Sequence, residues 1–223
     1  MRRRLYLMRH GAVAYFDEEG RPLPPDDVPL TAEGREQAAA AARMLEPAVF
    51  DRIFSSGLPR TVETARIVAP NQEPESWPEL QELRGDRLSA IPPELLEETF
   101  VHAFRGVVPL EQKFLGGESI GELFDRVLPA LDRLLADDGW DTALAVLHGG
   151  VNRAILSWAL TGERMFLGHF EQAPGCVNVL DVGDEWIVRA VNVAPTDLAH
   201  SSTRLTTMEH YWRQYRPPGT AEG

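Results

Sequence analysis

Cysteine is almost missing from this 223-residue chain: Cys176 stands alone, so no intrachain disulfide can form. That usage suits a reducing compartment, and a cytoplasmic location is expected. Long apolar runs are missing too. No segment approaches the roughly 18 consecutive apolar residues of a membrane span, so no membrane partner is expected. Residues 1–4 are basic, but only residues 5–8 follow as an apolar stretch, too short for the core of a signal peptide. Positive charge is scarce. With 22 Lys and Arg against 34 Asp and Glu the formal net charge is -12, and no nucleic-acid partner is expected, because binding a polyanion relies on clustered cations. Repeats, low-complexity tracts and domain linkers are likewise missing. His102, His169, His200 and His210 lack metal-ligand spacing and read as surface or packing histidines, and neither a metal nor a cofactor is expected. What is present, 43% hydrophobic and 25% charged residues, is an average globular mixture suited to one domain over residues 1–223.

Along the chain, strand and helix patterns alternate. Residues 5–8 read as a buried strand stopped by Arg9-His10-Gly11. Thr31 is the expected N-cap of a helix over residues 33–45, with Glu33 near its positive end. Residues 52–55 form a second strand, and Pro59 at a first helical position opens a helix to Val68. Residues 77–117 are broken by Pro78, Pro92, Pro93 and Pro109; one helix over 93–104 is expected there, within an insertion of about residues 85–116. Next, Ile120, Leu123, Phe124, Val127, Leu128, Leu131, Leu134 and Leu135 recur at helical spacing, with Glu118 and Ser119 as the expected caps. An apolar strand over residues 142–147 ends in His148-Gly149-Gly150 and feeds a helix over 151–160. Residues 177–182 and 185–193 form a hairpin around Gly183-Asp184, Trp212 and Tyr215 are docking anchors, and residues 216–223 are a frayed tail. The pattern implies an α/β three-layer sandwich: a mostly parallel central sheet with an antiparallel edge, and a helical insertion over the active site.

In such sheets ligands bind beyond the carboxyl ends of the strands, and three of the expected strands end in His10, Ser55-Ser56 and His148. One histidine after a strand is ordinarily structural. Two at equivalent ends, each followed by a glycine that permits close backbone approach, point to a shared pocket, to which Arg9 and Arg60 add fixed positive charge.

These stations carry a resemblance. Leu7-Met8-Arg9-His10-Gly11 resembles the R-H-G motif of the histidine phosphatase superfamily, the phosphoglycerate mutase-like proteins. Residues 30–38, Leu-Thr-Ala-Glu-Gly-Arg-Glu-Gln-Ala, are similar to its L-[ST]-x-x-G-x-x-Q-A helix start, and residues 55–65, Ser-Ser-Gly-Leu-Pro-Arg-Thr-Val-Glu-Thr-Ala, to S-S-x-L-x-R-[AT]-x-x-T-A. Gly117-Glu118-Ser119 resembles G-E-S, and residues 146–153 resemble the strand, H-G-G and helix segment. The stations follow in family order over residues 5 to about 193.

The resemblance implies a metal-independent phosphomonoesterase acting on a small-molecule phosphate ester through a phosphohistidine at His10. Arg9, Arg60, Gly11, Gly149 and His148 would surround the phosphoryl group, and a main-chain carbonyl near Gly11 would fix the His10 tautomer. Neighbouring cations keep an imidazole neutral, as a nucleophile must be. Glu82, in Leu80-Gln81-Glu82-Leu83-Arg84-Gly85, resembles the family's L-x-E proton donor; the following glycine comes sooner than usual, which leaves Glu79 as the alternative. After R-H-G the chain reads Ala12-Val13-Ala14-Tyr15-Phe16, where many members have E-[ST]-x-x-N; Phe16 removes a polar phosphate contact and favours hydrolysis over mutase chemistry. A phosphoglycerate mutase-type phosphotransferase and a phosphate-binding regulatory protein without turnover are the alternatives. The substrate is left open by the irregular segments 17–29 and 85–116, where Arg84, Arg87 and Arg105 are either anion ligands or surface cations. A homodimer is left open as well.

Overall fold

The apolar run near the start becomes β1 (Arg3–Arg9), a central strand of a six-stranded sheet in a computed structural model that describes residues 2–215. Successive side chains of a strand point to opposite faces. Leu5 and Leu7 therefore enter one core with Phe54, Leu147, Leu123, Phe124 and Ile155, while Met8 enters a second with Ile53, Val146, Ala41 and Ala65.

The sheet order is β3-β2-β5-β1-β7-β8. Strands β2 (Arg52–Ser55), β3 (Glu75–Ser76) and β5 (Thr142–Leu147) run parallel to β1, and β7 (Val177–Val182) and β8 (Ile187–Val193) form the antiparallel edge. Register decides what gathers at one end: Arg9 pairs with Leu147, and Ser55 pairs with Val146. The strands thus finish nearly level, so His10, Ser56 and His148 emerge together.

Helices α1 (Ala32–Leu45) and α2 (Pro59–Val68) supply the core on the Met8 side, while α4 (Ile120–Ala136) and α5 (Gly149–Thr161) supply it on the Leu7 side. Thr31 caps α1 by accepting from Gly34 N at 3.0 Å. Ser119 caps α4 in a reciprocal capping box, but its partner is Glu122. Glu118, expected as a cap, instead binds Arg126 at 2.6 Å and accepts from the amide of Arg84 at 3.1 Å.

Several expected boundaries shift, β1 starting at Arg3 rather than 5 and α5 at Gly149 rather than 151. The insertion helix α3 (Pro93–Val101) ends before residue 104, because the His102 amide closes the last turn on Glu98 O and the chain then leaves for β4 (Val107–Val108). β4 pairs with β6 (Phe166–Leu167) in a small antiparallel sheet. The hairpin's second strand starts at Ile187 rather than 185. A further helix, α6 (Thr207–Gln214), was not anticipated from apolar periodicity, because its buried face is mostly aromatic. Its sequence signal was Thr206-x-x-Glu209, which forms a second capping box. Tyr211 and Tyr215 are buried with Phe16, Leu96, Phe100 and Leu115, and Trp212 meets Phe100 at 5.8 Å between ring centroids. The expected frayed tail, 216–223, lies outside the described residues. Among those described, no helix is long and apolar enough to cross a membrane.

Candidate active site

Glycine at two motif stations allows the site to assemble. A side chain on Gly11 would put its Cβ 2.2 Å from the carbonyl oxygen of Gly34, and one on Gly34 would lie 2.2 Å from that of Ala12. The turn after β1 and the start of α1 therefore touch backbone to backbone. Two other motif side chains fasten the same turn: Thr64 Oγ1 accepts from Gly11 N at 3.1 Å, and Gln37 Oε1 from Ala12 N at 2.8 Å.

This turn aims His10. The imidazole is buried, and its Nδ1 donates to the carbonyl of Gly11 at 2.7 Å, leaving the lone pair on Nε2. The ring is held well below the usual histidine pKa by burial first, then by Arg60 and Arg9, with the Gly11 carbonyl opposing. His148 stands opposite, the ring centroids 5.2 Å apart and nearly perpendicular. It too is held well below its usual pKa by burial, then by His10, Arg60 and Arg9. Its Nε2 lies 2.7 Å from Ser56 Oγ. Because Thr61 donates its hydroxyl to Leu58 O at 2.8 Å, Ser56 donates to Thr61 and accepts from His148. His148 Nδ1, buried and without a hydrogen-bond partner among the described residues, is left as an open acceptor.

Both motif arginines are buried, and each keeps an Nε without a hydrogen-bond partner among the described residues. Arg60 donates Nη1 to Pro25 O at 2.7 Å and lies 5.8 Å from the Tyr15 ring. Arg9 donates Nη1 to the carbonyl of Gln172 and to Thr207 Oγ1 at 3.0 Å, and Nη2 lies 3.5 Å from Tyr211 OH.

Glu82 and Glu79 are separated clearly. Both oxygens of Glu82 accept from Gly150 N, each at 3.1 Å, at the first turn of α5, beside His148. A Cβ on Gly150 would come within 2.5 Å of that carboxylate. Glu79 points elsewhere, with its carboxylate on Arg133 at 2.9 Å. Arg126 holds the loop between them by donating to the carbonyls of Glu79, Gln81 and Glu82.

Of the arginines considered as anion ligands, Arg84, Arg87 and Arg105 are exposed. A different one, Arg153, is buried, and its Nη1 lies 3.2 Å from where a Cβ of Gly149 would be, with Arg9 Nε 3.6 Å from the same point. Its signal was its position four residues after Gly149, one helical turn on and so on the same face of α5. Glu171 lies 3.5 Å from Arg153 Nη2. Phe16, at the position of the missing asparagine, packs into the aromatic cluster 5.7 Å from Tyr215. Cys176 is sealed behind the site, its thiol pushed up to about 12 by burial, and its carbonyl accepts from Arg9 N at 3.0 Å. No three His, Cys, Asp or Glu side chains among the described residues gather into a metal-binding group.

A parallel sheet that presents two neutral histidines among buried guanidinium groups defines an α/β protein built to handle an anion. The chain belongs to the histidine phosphatase superfamily (branch 1), whose model matches residues 5–194. It is 29% identical over 188 residues to the adenosylcobalamin/alpha-ribazole phosphatase of Salmonella typhimurium, covering 80% of this chain and 90% of that one. It is 26% identical over 177 residues, or 71% of this chain, to the 2-carboxy-D-arabinitol-1-phosphatase of Triticum aestivum, and it spans only 32% of that relative's length. Among solved structures, mycobacterial glucosyl-3-phosphoglycerate phosphatase superposes with a TM-score of 0.66 at 25% identity, over 85% of this chain and 98% of that one.

Proposed function

We propose that this protein is a metal-independent phosphomonoester hydrolase that works through a phosphohistidine at His10. One observation carries the reading: the His10 proton is committed to the Gly11 carbonyl at 2.7 Å, so Nε2 is bare. The ring sits between two buried guanidinium groups able to hold a phosphoryl group.

In the first step Nε2 of His10 attacks phosphorus, the bond from phosphorus to the ester oxygen breaks, and Glu82 delivers a proton to the leaving alkoxide. In the second, Glu82 takes a proton from water, the resulting oxygen attacks phosphorus, and the N–P bond breaks to release inorganic phosphate. Arg9 and Arg60 carry the equatorial oxygens throughout. The charge of a bound dianion favours protonation of His148, whose open Nδ1 then becomes a donor to a phosphoryl oxygen. The leaving group is a small metabolite alcohol, in keeping with relatives named for phosphorylated small molecules.

The test is a time course with a chromogenic aryl phosphate and, in a second arm, a monophosphoglycerate, each with and without a 2,3-bisphosphorylated donor, alongside His10→Ala. Wild type should release phosphate without the donor and trap an acid-labile phosphoryl group that His10→Ala does not. Donor-dependent isomerisation without release of phosphate would instead favour a mutase.

A further inference from the structure

The family match ends at residue 194, yet two side chains from beyond it lie against the arginine of the family's first motif. Thr207 is the first residue of α6, and its hydroxyl has one hydrogen to give. It gives it to Glu171 Oε1 at 2.7 Å, which fixes the oxygen's lone pairs toward Arg9 Nη1 at 3.0 Å. The amide of Thr207 also donates to Glu171 Oε1, at 3.2 Å, so this carboxylate anchors the helix start. One turn on, Tyr211 presents its hydroxyl to Arg9 Nη2 while its ring meets Tyr15 edge-on at 5.0 Å.

The other support of Arg9 is rigid. The Gln172 carbonyl that accepts from Nη1 belongs to a residue caged by buried carboxamides: Asn152 donates to its Oε1 at 3.2 Å, and Asn178 does so at 2.8 Å while receiving its Nε2 at 3.0 Å. With both Nη1 hydrogens committed and Nη2 beside Tyr211, Arg9 keeps its Nε–H, which is buried, without a partner among the described residues and 3.6 Å from the Cβ position of Gly149.

We propose that α6 is a working part of the active site, in which Thr207 and Tyr211 are positioning residues that hold the Arg9 guanidinium for phosphoryl transfer. Neither needs to touch substrate. Each acts through Arg9, and Glu171 links this arrangement to Arg153, whose Nη1 shares the surroundings of Gly149 with Arg9 Nε. The inference rests on the phosphoryl-transfer reading of the site, so its test includes a measurement that does not require turnover.

The experiment compares Thr207→Val, Thr207→Ser and Tyr211→Phe with wild type in the full-length protein. It measures kcat and KM on an aryl phosphate, orthovanadate affinity by calorimetry, and Tm. Thr207→Val keeps the shape of the side chain and removes the oxygen. It should weaken orthovanadate binding and lower kcat roughly tenfold or more, as loss of a hydrogen bond to a charged group does, with a smaller change in KM. Tyr211→Phe should do the same to a lesser degree, its contact being longer, and Thr207→Ser should restore most of both values. Equal vanadate affinity and kcat in Thr207→Val and wild type would overturn the proposal. So would parallel losses in Thr207→Val and Thr207→Ser that follow Tm. A wild type that binds orthovanadate without hydrolysing the ester would sink the hydrolase reading while leaving the affinities to decide the role of α6. A wild type that binds none would sink both.

Discussion

Glu82 seats both carboxylate oxygens on the single amide of Gly150, at 3.1 Å each, and leaves no room for a β-carbon there. The second glycine after His148 is therefore the floor on which the proposed proton donor stands. Glu82→Gln should lower kcat by roughly 10²–10⁴, the usual contribution of general acid–base catalysis. Gly150→Ala, which displaces the carboxylate without removing it, should reproduce a large part of that loss. Measuring kcat on an alkyl and on an aryl phosphate separates the steps, because an aryloxide leaves with less help from a proton donor than an alkoxide does. Equal kcat for Glu82→Gln and wild type on the alkyl ester would remove Glu82 from the mechanism.

Arg60 reaches the pocket from α2 with one nitrogen on Pro25 O and its Nε free. Arg60→Gln should reduce kcat/KM by roughly 10²–10³, the range for losing a donor to transition-state charge. Arg60→Lys should recover only part of this, since an ammonium group keeps the charge without the planar fork. Steady-state kinetics on one aryl phosphate suffice, and full rescue by lysine would contradict a geometric role.

Gly11→Ala tests the close approach beneath His10, the proposed nucleophile. Its Cβ would sit 2.2 Å from the Gly34 carbonyl oxygen, so either α1 moves or the His10 turn does. Overpacking of this kind costs about 1–3 kcal/mol, or roughly 2–4 °C of Tm per kcal/mol at this chain length. A lowered Tm with lost activity is expected in thermal denaturation and kinetics of the same preparation; an unchanged Tm would mean that the contact is loose.

The two depressed histidines also set a pH dependence of stability. Unfolding returns His10 and His148 to about 6.5, above their folded values, so below that pH the unfolded chain binds more protons than the folded one. Stability contributed by keeping them neutral is complete above about pH 6.5 and is lost as pH falls through their folded values, by up to about 1.4 kcal/mol per pH unit for each. Tm of the ligand-free protein should drop as the pH falls below about 6.5, before most carboxylates titrate, and His10→Asn should flatten the decline. A Tm that stays level as the pH falls from about 6.5 toward the carboxylate range would contradict it.

Much of this was legible in the chain. Residues of the first, second and fifth strands were readable because buried strands are short apolar runs stopped by charge or glycine, and α4 because eight apolar side chains recur on one face. His10, His148, Arg9, Arg60 and Glu82 lie in motif segments or close beside them. Gly34, Gln37 and Thr64 were visible as motif letters, but their work required the three-dimensional meeting of α1 and α2 with the turn after β1.

The rest was hidden for a physical reason. Thr207, Tyr211, Glu171 and Gln172 reach the site through tertiary packing across 160 or more residues, and nothing local marks them. A helix whose inner face is Tyr211 and its aromatic neighbours has too few aliphatic residues to register as a periodic stripe, leaving the capping box as its local mark. Arg153 was in view in the segment after His148, and only helical geometry turns it toward Gly149.

The burial of Cys176 has an experimental consequence. The chain's sole thiol belongs to the residue beside the end of the strand that carries Arg9, with its sulfur buried 3.6 Å from the side-chain oxygen of Gln172. An alkylating reagent reaches this buried sulfur only when the packing around it opens, so adduct formation followed by intact mass is a one-site clock for that opening. Slower tagging with orthovanadate present would read out how firmly an occupied pocket shuts its own back wall.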